Sequence, residues 1–468
     1  VNPKIAGTTH NVFGIQTGVA IMFLVRKANR DKKAQCNIQY TSLPDDWRKE
    51  AKLQWLSENL LKDIPFVHVQ PDKNNNWINL TDNDFDSLIP IADKAVKLGR
   101  GKKALFEMFS LGVVTNRDEW VYDFSESTLT NKVNFLIDIY NVDLAKHTGK
   151  SGDEINDLVN YSIKWTRAVK NDLSKGKTYA YNKNLIVESL YRPFVKKKLY
   201  FSRELNEMQY LMRNIFGPTG SESPLTIYIS GCPASKPFGV LATNTIAGLD
   251  FIEKTQCIPL YCYDVNGARK ENVTDWGFSQ FTKRYGKKGI SKESIFHYAY
   301  SVLHHPTYRI KYELNLKREF PRIPFYEDFQ KWAAWGKALM DLHINFETAE
   351  PFNLAEITLD QKENPKTKLK ADKENSLIIL DENSTLSGIP PEAWLYKLGN
   401  RSALEWVLDQ YKEKKSSDPT IEEKFNTYRF ADCKTKVIDL LRRICTVSIE
   451  TVRITREMEA ETNPIEKT

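Results

Sequence analysis

The sequence predicts a mixed α/β fold, in which short strands are followed by a largely helical second half. Short apolar runs separated by Gly, Pro and Ser are typical of strands, and they fall at 225–231, 238–243 and 257–263. Residues that favour the start of a helix then precede amphipathic stretches: Thr274, Ser291, Pro306 and Glu327. These two patterns together predict helices packed around a small central sheet.

Near the N-terminal end, a loop precedes a strong strand pattern. Residues 7–17 are rich in Gly, Thr, Asn and Gln, as loops are. Residues 19–25 are continuously apolar, which predicts a central strand buried on both faces. A helix is expected from residue 44 to about residue 61, with Asp45 as its cap, and a connector follows it.

The remaining elements are predicted from local patterns. Strands are expected on either side of a hairpin tip at Asn116-Arg117-Asp118, at 105–115 and 119–124. Helices are expected at 128–144, 153–174, 203–215 with Ser202 as its cap, 391–412 and 432–456. Residues 361–375 are polar and Lys-rich, which predicts a flexible loop before a hairpin at 377–388.

The composition is that of a globular protein with an uneven charge. The 468 residues are 41% hydrophobic and 12% aromatic, which is enough for substantial cores. The net charge is +7, and residues 269–318 alone hold eleven Lys and Arg against four Asp and Glu. A concentrated surplus of positive charge suits a nucleic acid. The alternative is an ordinary solvated basic face.

Other classes of protein are disfavoured by the sequence. Its longest apolar run, at 18–25, is far shorter than the ~20 residues that a membrane helix needs, and no signal peptide is recognised. Six scattered cysteines form no Cys-x-x-Cys pair, which predicts reduced thiols in a cytoplasmic protein. The adjacent His304 and His305 lack the spacing of metal ligands, so no metal site is expected.

Motifs for catalysis are absent from the sequence. It has no glycine-rich loop for S-adenosylmethionine, no Asn/Asp-Pro-Pro-aromatic motif and no Gly-x-x-x-x-Gly-Lys-Ser/Thr for a nucleoside triphosphate. Asp45, Asp46 and Glu50 resemble a nuclease metal site only superficially, because they fall on consecutive turns of a predicted helix. We therefore expect no catalysis from this chain alone.

A dozen short segments, in order along the chain, carry a family resemblance. They include NPKIAGTTHNVFGIQTGVAI (2–21), GVVTNRDEWVYDF (112–124), SLYRPF (189–194), NEMQYLM (206–212), QCIPLYCYD (256–264) and VTDWGFSQFTKRYG (273–286). Together they resemble the C-terminal part of Type ISP restriction-modification enzymes. Those single-chain proteins carry nuclease, helicase-like ATPase, adenine-N6 methyltransferase and target recognition domains in that order.

The resemblance implies a division into two domains. Residues 1–104 would be the C-terminal remnant of the methyltransferase domain and a connector, with the edge of its class I sheet at 7–25. Residues 105–468 would be a largely helical target recognition domain with a sub-boundary near residue 265 and helical parts at 270–350 and 376–468. S-adenosylmethionine, ATP and Mg²⁺ are implied for the parent enzyme, and no cofactor is implied for this fragment.

The resemblance also implies a pocket for a flipped adenine beside the first loop. A target adenine must leave the duplex, and its ring is then held by stacking. Phe13 is the only aromatic residue of the loop, so it is the candidate for that contact. His10 and Asn11 are candidates for contacts with the DNA backbone nearby. The alternative is that Phe13 packs under the loop.

Three further segments carry side chains that suit DNA contact. Arg reads guanine and Asn or Gln reads adenine in the major groove, whereas Lys and Arg hold phosphates. The candidates are Asn116 and Arg117 at the hairpin tip, Arg192, Lys196, Lys197 and Lys198 among aromatic residues, and Lys283, Arg284, Lys287 and Lys288 in a glycine-bearing turn. The alternatives are a turn stabilised by its own side chains, and rings in the core with solvated lysines.

The resemblance and the charge together predict sequence-specific recognition of double-stranded DNA. This recognition would direct adenine-N6 methylation and ATP-dependent restriction by the parent enzyme in the bacterial cytoplasm. The expected partners are duplex DNA and the other domains of the parent chain, and no membrane. The alternative is an interaction module that docks on the methyltransferase without reading bases.

Overall fold

The computed structural model describes residues 9–15, 19–29, 36–44, 47–72, 75–77, 81, 83–101, 103–150, 152–264, 266–359 and 362–461. By their contacts the residues fall into two compact units, Val1–Asp82 and Asn83–Thr468. Helices and strands are interspersed throughout the second unit, so the predicted mixed α/β class is confirmed.

The described residues of the first unit form β1 (Ile38–Tyr40), α1 (Lys49–Glu58), a short 3-10 helix (Leu61–Asp63) and β2 (Val67–Val69). Strands β1 and β2 form an antiparallel pair. Helix α1 is confirmed in position, although it begins after Arg48, and Asp45 lies outside the described residues. None of the side chains of α1 is buried.

The prediction of a buried strand at 19–25 is wrong. These residues have no regular secondary structure, and their apolar side chains are exposed, reaching 71% at Ile21 and 88% at Val25. A strand buried on both faces lies inside a sheet whose two faces are covered by other elements. The described part of the first unit has only the short β1–β2 ladder, so the apolar sequence alone does not make a strand here.

The first half of the second unit contains β3 (Ile89–Pro90), α2 (Lys94–Lys97), β4 (Ser110–Leu111), α3 (Asp118–Val121), β5 (Tyr122–Asp123), α4 (Glu126–His147), α5 (Gly152–Leu158), α6 (Arg167–Ser174), β6 (Ile186–Arg192), β7 (Val195–Tyr200), α7 (Met212–Phe216), β8 (Thr226–Ile229), β9 (Val240–Thr243), β10 (Ile246–Ala247), β11 (Gln256–Pro259) and β12 (Tyr261–Tyr263). The predicted short strands near 225–263 are therefore confirmed as β8, β9, β11 and β12.

The second half contains β13 (Arg269–Glu271), α8 (Asp275–Tyr285), α9 (Lys292–His304), α10 (Pro306–Lys311), α11 (Glu313–Arg318), β14 (Arg322–Ile323), α12 (Phe329–Ile344), β15 (Ala355–Thr358), β16 (Thr367–Asp372), β17 (Leu377–Asp381), β18 (Ser384–Ser387), β19 (Lys397–Leu398), β20 (Arg401–Ser402), α13 (Ala403–Gln410) and α14 (Phe430–Glu459). The predicted hairpin at 377–388 is confirmed as β17 and β18, and the last predicted helix as α14.

Three four-stranded sheets organise the second unit, with the strand orders β10-β6-β7-β5, β4-β11-β8-β9 and β15-β18-β17-β16. Their pairings are antiparallel except for β10 with β6. One apolar core joins α4, the β6–β7 hairpin and helices α13 and α14. A second core surrounds α9 and α12 and includes residues of β8, β9 and β11.

The predicted helix starts in the second half are confirmed by their capping bonds. The Thr274 hydroxyl accepts from the Gly277 amide at 2.9 Å. Ser291 forms a capping box with Ser294, and Pro306 occupies the first turn of α10. Helix α12 begins slightly later than predicted, because Asp328 rather than Glu327 caps it.

Other local predictions are corrected by tertiary packing. The single helix expected at 153–174 is two helices, α5 and α6, and the strand expected at 119–124 is α3 followed by β5. The helix expected at 203–215 is reduced to α7, and Ser202 caps only a turn, accepting from the Leu205 amide at 3.3 Å. The Lys-rich segment 361–375 includes a strand, β16, because the fully buried Leu369 fixes it to the core beside β17.

All six cysteines have free thiols, and Cys257, Cys262 and Cys445 are buried. Among the described residues, no helix combines the length and the apolar character needed to cross a membrane.

Helices α9 and α12 pack so closely that a glycine is needed where they meet. A Cβ atom at Gly336 would lie 1.8 Å from the carbonyl oxygen of His297. Because this obstacle is backbone, we expect Gly336→Ala to lower the free energy of unfolding by roughly 1–3 kcal/mol or more, as measured by urea unfolding. Gly152→Ala is the matched control, since a Cβ there meets open space within a helix. Equal stability of the two variants would contradict this packing.

Candidate nucleic-acid interface

Four cations at the end of α8 form the most concentrated basic surface among the predicted sites. Lys283 and Arg284 lie in the last turn of α8, and Lys287 and Lys288 follow in the loop to α9. We call these four residues the basic turn. Each is exposed, and none forms an ion pair with a residue that the structure describes. Their charges are therefore available to an external anion.

Hydrogen bonds and a buried ring fix the backbone of the basic turn. The Tyr285 hydroxyl donates to the Tyr326 carbonyl at 2.5 Å, and the Phe281 ring is fully buried. Gly286 has a φ of 82°, a left-handed conformation that suits glycine at the end of a helix. The Gly289 carbonyl accepts from the Gln330 side chain at 2.8 Å. Cations near a helix C-terminus are also favoured by the helix dipole, which by itself explains two of the four.

The predicted basic cluster on the β6–β7 hairpin is mostly neutralised within the protein. Arg192 donates to its neighbour's carbonyl, stacks 4.1 Å from the Tyr191 ring and lies 3.9 Å from Asp118. Lys196 forms ion pairs with Glu347 at 2.7 Å and Glu188 at 2.9 Å. Burial alone would lower the pKa of Lys196, but these two carboxylates raise it.

The two other lysines of the hairpin differ from Lys196. Lys198 lies in register between Glu188 and Asp123. The Lys197 ammonium lies 4.3 Å from the Tyr191 ring and 4.6 Å from the Phe124 ring, and burial lowers its pKa to about 8. The nearby rings Phe194, Tyr200 and Phe201 are buried. These three rings therefore lie in the core, as the alternative expected, whereas Lys196 is ion-paired and Lys197 lies over aromatic rings.

The predicted hairpin tip is instead the entry to α3, and its two candidates differ in exposure. Asn116 is exposed and has a left-handed φ of 54°. Arg117 is only 4% exposed, donates to the Thr166 hydroxyl and leaves Nε and Nη1 without a partner. Burial lowers the pKa of Arg117 to about 10. Arg117 therefore lies under the loop, and its buried guanidinium is not accessible to a base in this conformation.

The candidates for the base pocket lie in one loop of the first unit. The His10 ring contacts the Trp47 carbonyl at 3.2 Å, and the His10 carbonyl accepts from Lys52 at 3.0 Å. The Asn11 side chain accepts from the Phe13 amide at 2.8 Å. The Phe13 ring is 61% exposed. Phe13 therefore does not pack under its loop, and its role in holding a base stays a prediction.

The exposure of two further residues was not predicted from the sequence. Met208 is 48% exposed and forms a backbone bridge with Val114, and Tyr210 is 41% exposed. Their segment, NEMQYLM, contributed only to the family resemblance. The apolar residues of this segment do not by themselves indicate whether a side chain is exposed or buried in the fold. Conversely, the adjacent His304 and His305 are both buried, with separate partners, Tyr300 and Tyr326.

Comparison with known proteins gives the family. The model of the Type ISP C-terminal specificity domain matches residues 104–440. A comparison with curated proteins found no match. Among solved structures, the chain is similar to one in a cryo-EM structure of a DrdV–DNA complex, with 49% identity and a TM-score of 0.85, over 91% of this chain and 44% of that one.

Two further structures are more distant in sequence. One is a nuclease-deletion mutant of the Type ISP restriction-modification enzyme LlaGI in complex with a DNA substrate mimic, with 27% identity and a TM-score of 0.76 over 94% of this chain and 40% of that one. The other is the ATP-dependent Type ISP restriction-modification enzyme LlaBIII bound to DNA, with 25% identity and a TM-score of 0.82 over 99% of this chain and 30% of that one. The chain spans less than half the length of each of these three structures.

The family model covers most of the chain, and the fold agrees with that of the solved relatives along nearly all of its length. The resemblance inferred from the sequence is thus confirmed, and the chain belongs to the family of Type ISP C-terminal specificity domains.

Proposed function

We propose that this chain recognises a specific sequence in duplex DNA and so directs adenine-N6 methylation and ATP-dependent restriction by a longer single-chain enzyme in the bacterial cytoplasm. The basic turn carries this proposal, because its four exposed cations form no ion pair with a described residue and can therefore contact the phosphates of a duplex. The family is a specificity domain, and three similar structures contain DNA or a DNA mimic. The positive charge of the basic turn and the family of the chain therefore both support duplex DNA as the ligand.

In this proposal, positioning and reading are separate tasks. The basic turn holds phosphates, which fixes the register of the duplex without regard to sequence. Asn116 is the exposed candidate for a base edge, since an Asn amide matches the hydrogen-bonding pattern of adenine. The ion-paired Lys196 and the buried Arg117 are not assigned to either task.

The first unit supports a proposal about the parent chain. Its exposed apolar residues at 19–25 would bury their surface against the methyltransferase domain of the longer enzyme, where they would gain the strand partners that they lack in this structure. Phe13 would then stack on the flipped adenine. An interaction module that docks through these residues without reading bases is the alternative function.

S-adenosylmethionine, ATP and Mg²⁺ belong, in this proposal, to other parts of the longer enzyme. The described residues of this chain bring together no group of three His, Cys, Asp or Glu side chains that could hold a metal ion. The sequence carries no glycine-rich phosphate loop. The role proposed for this chain is thus to position DNA, and no catalytic step is assigned to its residues.

Selection from a randomised duplex library tests whether the chain reads sequence. The purified chain is incubated with the library at moderate salt, and the bound duplexes are amplified and sequenced over several rounds. We expect one site to be enriched reproducibly. Binding that weakens steeply with salt but enriches no sequence would reduce the function to phosphate contact. Absence of both would favour the docking module.

A further inference from the structure

Strands β12 and β13 form a separate antiparallel hairpin, which we call the ribbon. Among the strands that the structure describes, neither pairs with a third one. The register joins three cross-strand pairs: Tyr261 with Glu271, Cys262 with Lys270, and Tyr263 with Arg269. All three residues of β13 are exposed. The ribbon is therefore accessible to a partner along the whole of this strand.

The two faces of the ribbon differ, because side chains alternate along a strand. Cys262 is buried, and its partner Lys270 forms an ion pair with Glu107 at 2.8 Å. This face is thus turned toward the rest of the protein. Tyr261 and Arg269 share the opposite face, so Arg269 is directed away from these contacts.

The guanidinium of Arg269 is positioned by an aromatic ring and is otherwise unused. It lies 3.7 Å from the centroid of the Tyr261 ring. It forms no ion pair and no side-chain hydrogen bond with a residue that the structure describes. A ring contact engages the face of a guanidinium and not its N–H donors. Arg269 therefore offers an oriented and unoccupied set of donors.

Both ends of the ribbon are fixed by hydrogen bonds. At its base, the buried Asn272 side chain donates to the Pro259 and Met108 carbonyls at 2.7 and 2.9 Å, and accepts from the Met108 amide at 2.6 Å. At its turn, the Asp264 carboxylate accepts from two backbone amides, each at 2.8 Å. A ribbon held at both ends loses less entropy when it binds.

The base of the ribbon lies beside the basic turn. The Glu271 carboxylate pairs with Lys292 at 3.4 Å. Lys292 is the first residue of α9, four positions after Lys288 of the basic turn. Four residues span at most about 14 Å, which is comparable to the width of about 12 Å of the major groove. One duplex can therefore contact both the basic turn and the ribbon.

We propose that the ribbon enters the major groove of the duplex, where Arg269 reads a guanine. This inference rests on the proposed function and adds to it a second base-reading side chain on a different element. The major groove admits a two-stranded β-ribbon, and Arg donates to both O6 and N7 of guanine. The basic turn holds phosphates at the rim of the same groove.

Library selection with Arg269→Ala tests the inference. We expect the variant to lose a preference of about tenfold to a hundredfold at one G·C pair, with the preference at other positions retained. Its thermal unfolding midpoint should stay close to that of the wild type, because the Arg269 side chain forms no hydrogen bond with a described residue. Arg401→Ala is the matched control, since Arg401 also lies over a ring, that of Trp406, but is paired with Asp409 at 3.0 Å. It should retain the preference of the wild type.

Modified bases provide a second readout that does not depend on the folding of a variant. Replacing a guanine of the enriched site by 7-deazaguanine removes the N7 acceptor and preserves base pairing. The wild type should lose affinity at the guanine that Arg269 contacts, and Arg269→Ala should lose nothing further there. Inosine lacks only the minor-groove amino group of guanine, so the wild type should bind it nearly as well at that position.

The two proposals fail in different ways. A wild-type chain that enriches no site would overturn the proposed function. An enriched site without a G·C pair, or one whose G·C preferences all survive in Arg269→Ala, would overturn the role of Arg269 alone. A loss of affinity that is equal for all sequences would reduce Arg269 to a phosphate contact, and a loss of preference shared by Arg401→Ala would also count against it.

Discussion

Replacing Lys283, Arg284, Lys287 and Lys288 together by Ala should weaken binding to every duplex, cognate or not. Each phosphate contact contributes about 0.9 to the slope of log K against log salt concentration. If all four residues hold phosphates, the slope should fall by roughly 3 to 4, and the affinity near 0.1 M salt by roughly 10²-fold or more. Fluorescence anisotropy titrations over a salt series measure both quantities.

A control with the same change in net charge separates local contact from overall attraction. Lys150, Lys317, Lys337 and Lys373 are already paired with carboxylates. Their replacement by Ala should leave the salt slope within about one unit of the wild type, since no phosphate contact is lost. Equal effects of the two quadruple variants would show that net charge, and not the basic turn, attracts the duplex.

Mild acid should destabilise the second unit strongly, because three of its histidines are buried in neutral form. Burial lowers the pKa of His305 to about 4 and that of His343 to about 3, and burial together with nearby Arg309 lowers that of His304 well below 6.5. Above pH 6.5, folded and unfolded chains both carry neutral rings. Below it, the unfolded chain binds protons that the folded chain excludes, so stability falls as the pH falls.

The expected size of this effect is large. Each histidine contributes about 1.4 kcal/mol per pH unit between its two pKa values. His305 and His343 should together lower the free energy of unfolding by roughly 3 kcal/mol per unit between pH 6 and pH 4.5, and His304 changes it in the same direction. Urea unfolding at pH 7.5, 6.5, 5.5 and 4.5 measures the slope.

A single substitution attributes the slope to the buried rings. His343 bonds to the Tyr300 hydroxyl at 2.7 Å and to the Thr451 hydroxyl at 2.8 Å. His343→Gln retains polar partners for both but does not titrate, so the slope should fall by about 1.4 kcal/mol per pH unit. His147→Gln, on a residue that is only partly buried, is the control and should leave the slope unchanged. A stability that is flat from pH 7.5 to 4.5 would show that the rings are not neutral by burial.

The fold could be predicted from the sequence where local chemistry decides it. Thr274 and Ser291 cap helices because their hydroxyls satisfy nearby amides, whichever core the helix joins. The apolar run at 19–25 failed as a predictor, because a buried strand also needs neighbours that a local pattern does not provide. Leu369 shows the reverse case: one buried side chain makes a strand in a segment whose lysines predicted a loop.

The candidate site was predictable only where charge and exposure coincide. The cations of the basic turn are close together in sequence and are also exposed, so the charge pattern correctly indicated an accessible basic surface. Arg117 and Lys196 have the same side-chain chemistry, but one is buried and the other is ion-paired across 151 residues with Glu347. Met208 pairs with Val114 through a long-range bridge that composition does not reveal. Charge patterns therefore find phosphate contacts more readily than base contacts.

The most direct test of the central claim, that this chain reads sequence, is the ratio of two dissociation constants. One is measured for the duplex enriched from the library, and the other for a duplex of the same composition in scrambled order, at the same salt concentration. We predict a ratio of about 10³ or more, which the Ala variant of the basic turn should leave nearly unchanged while both constants rise. A ratio near one would contradict the account.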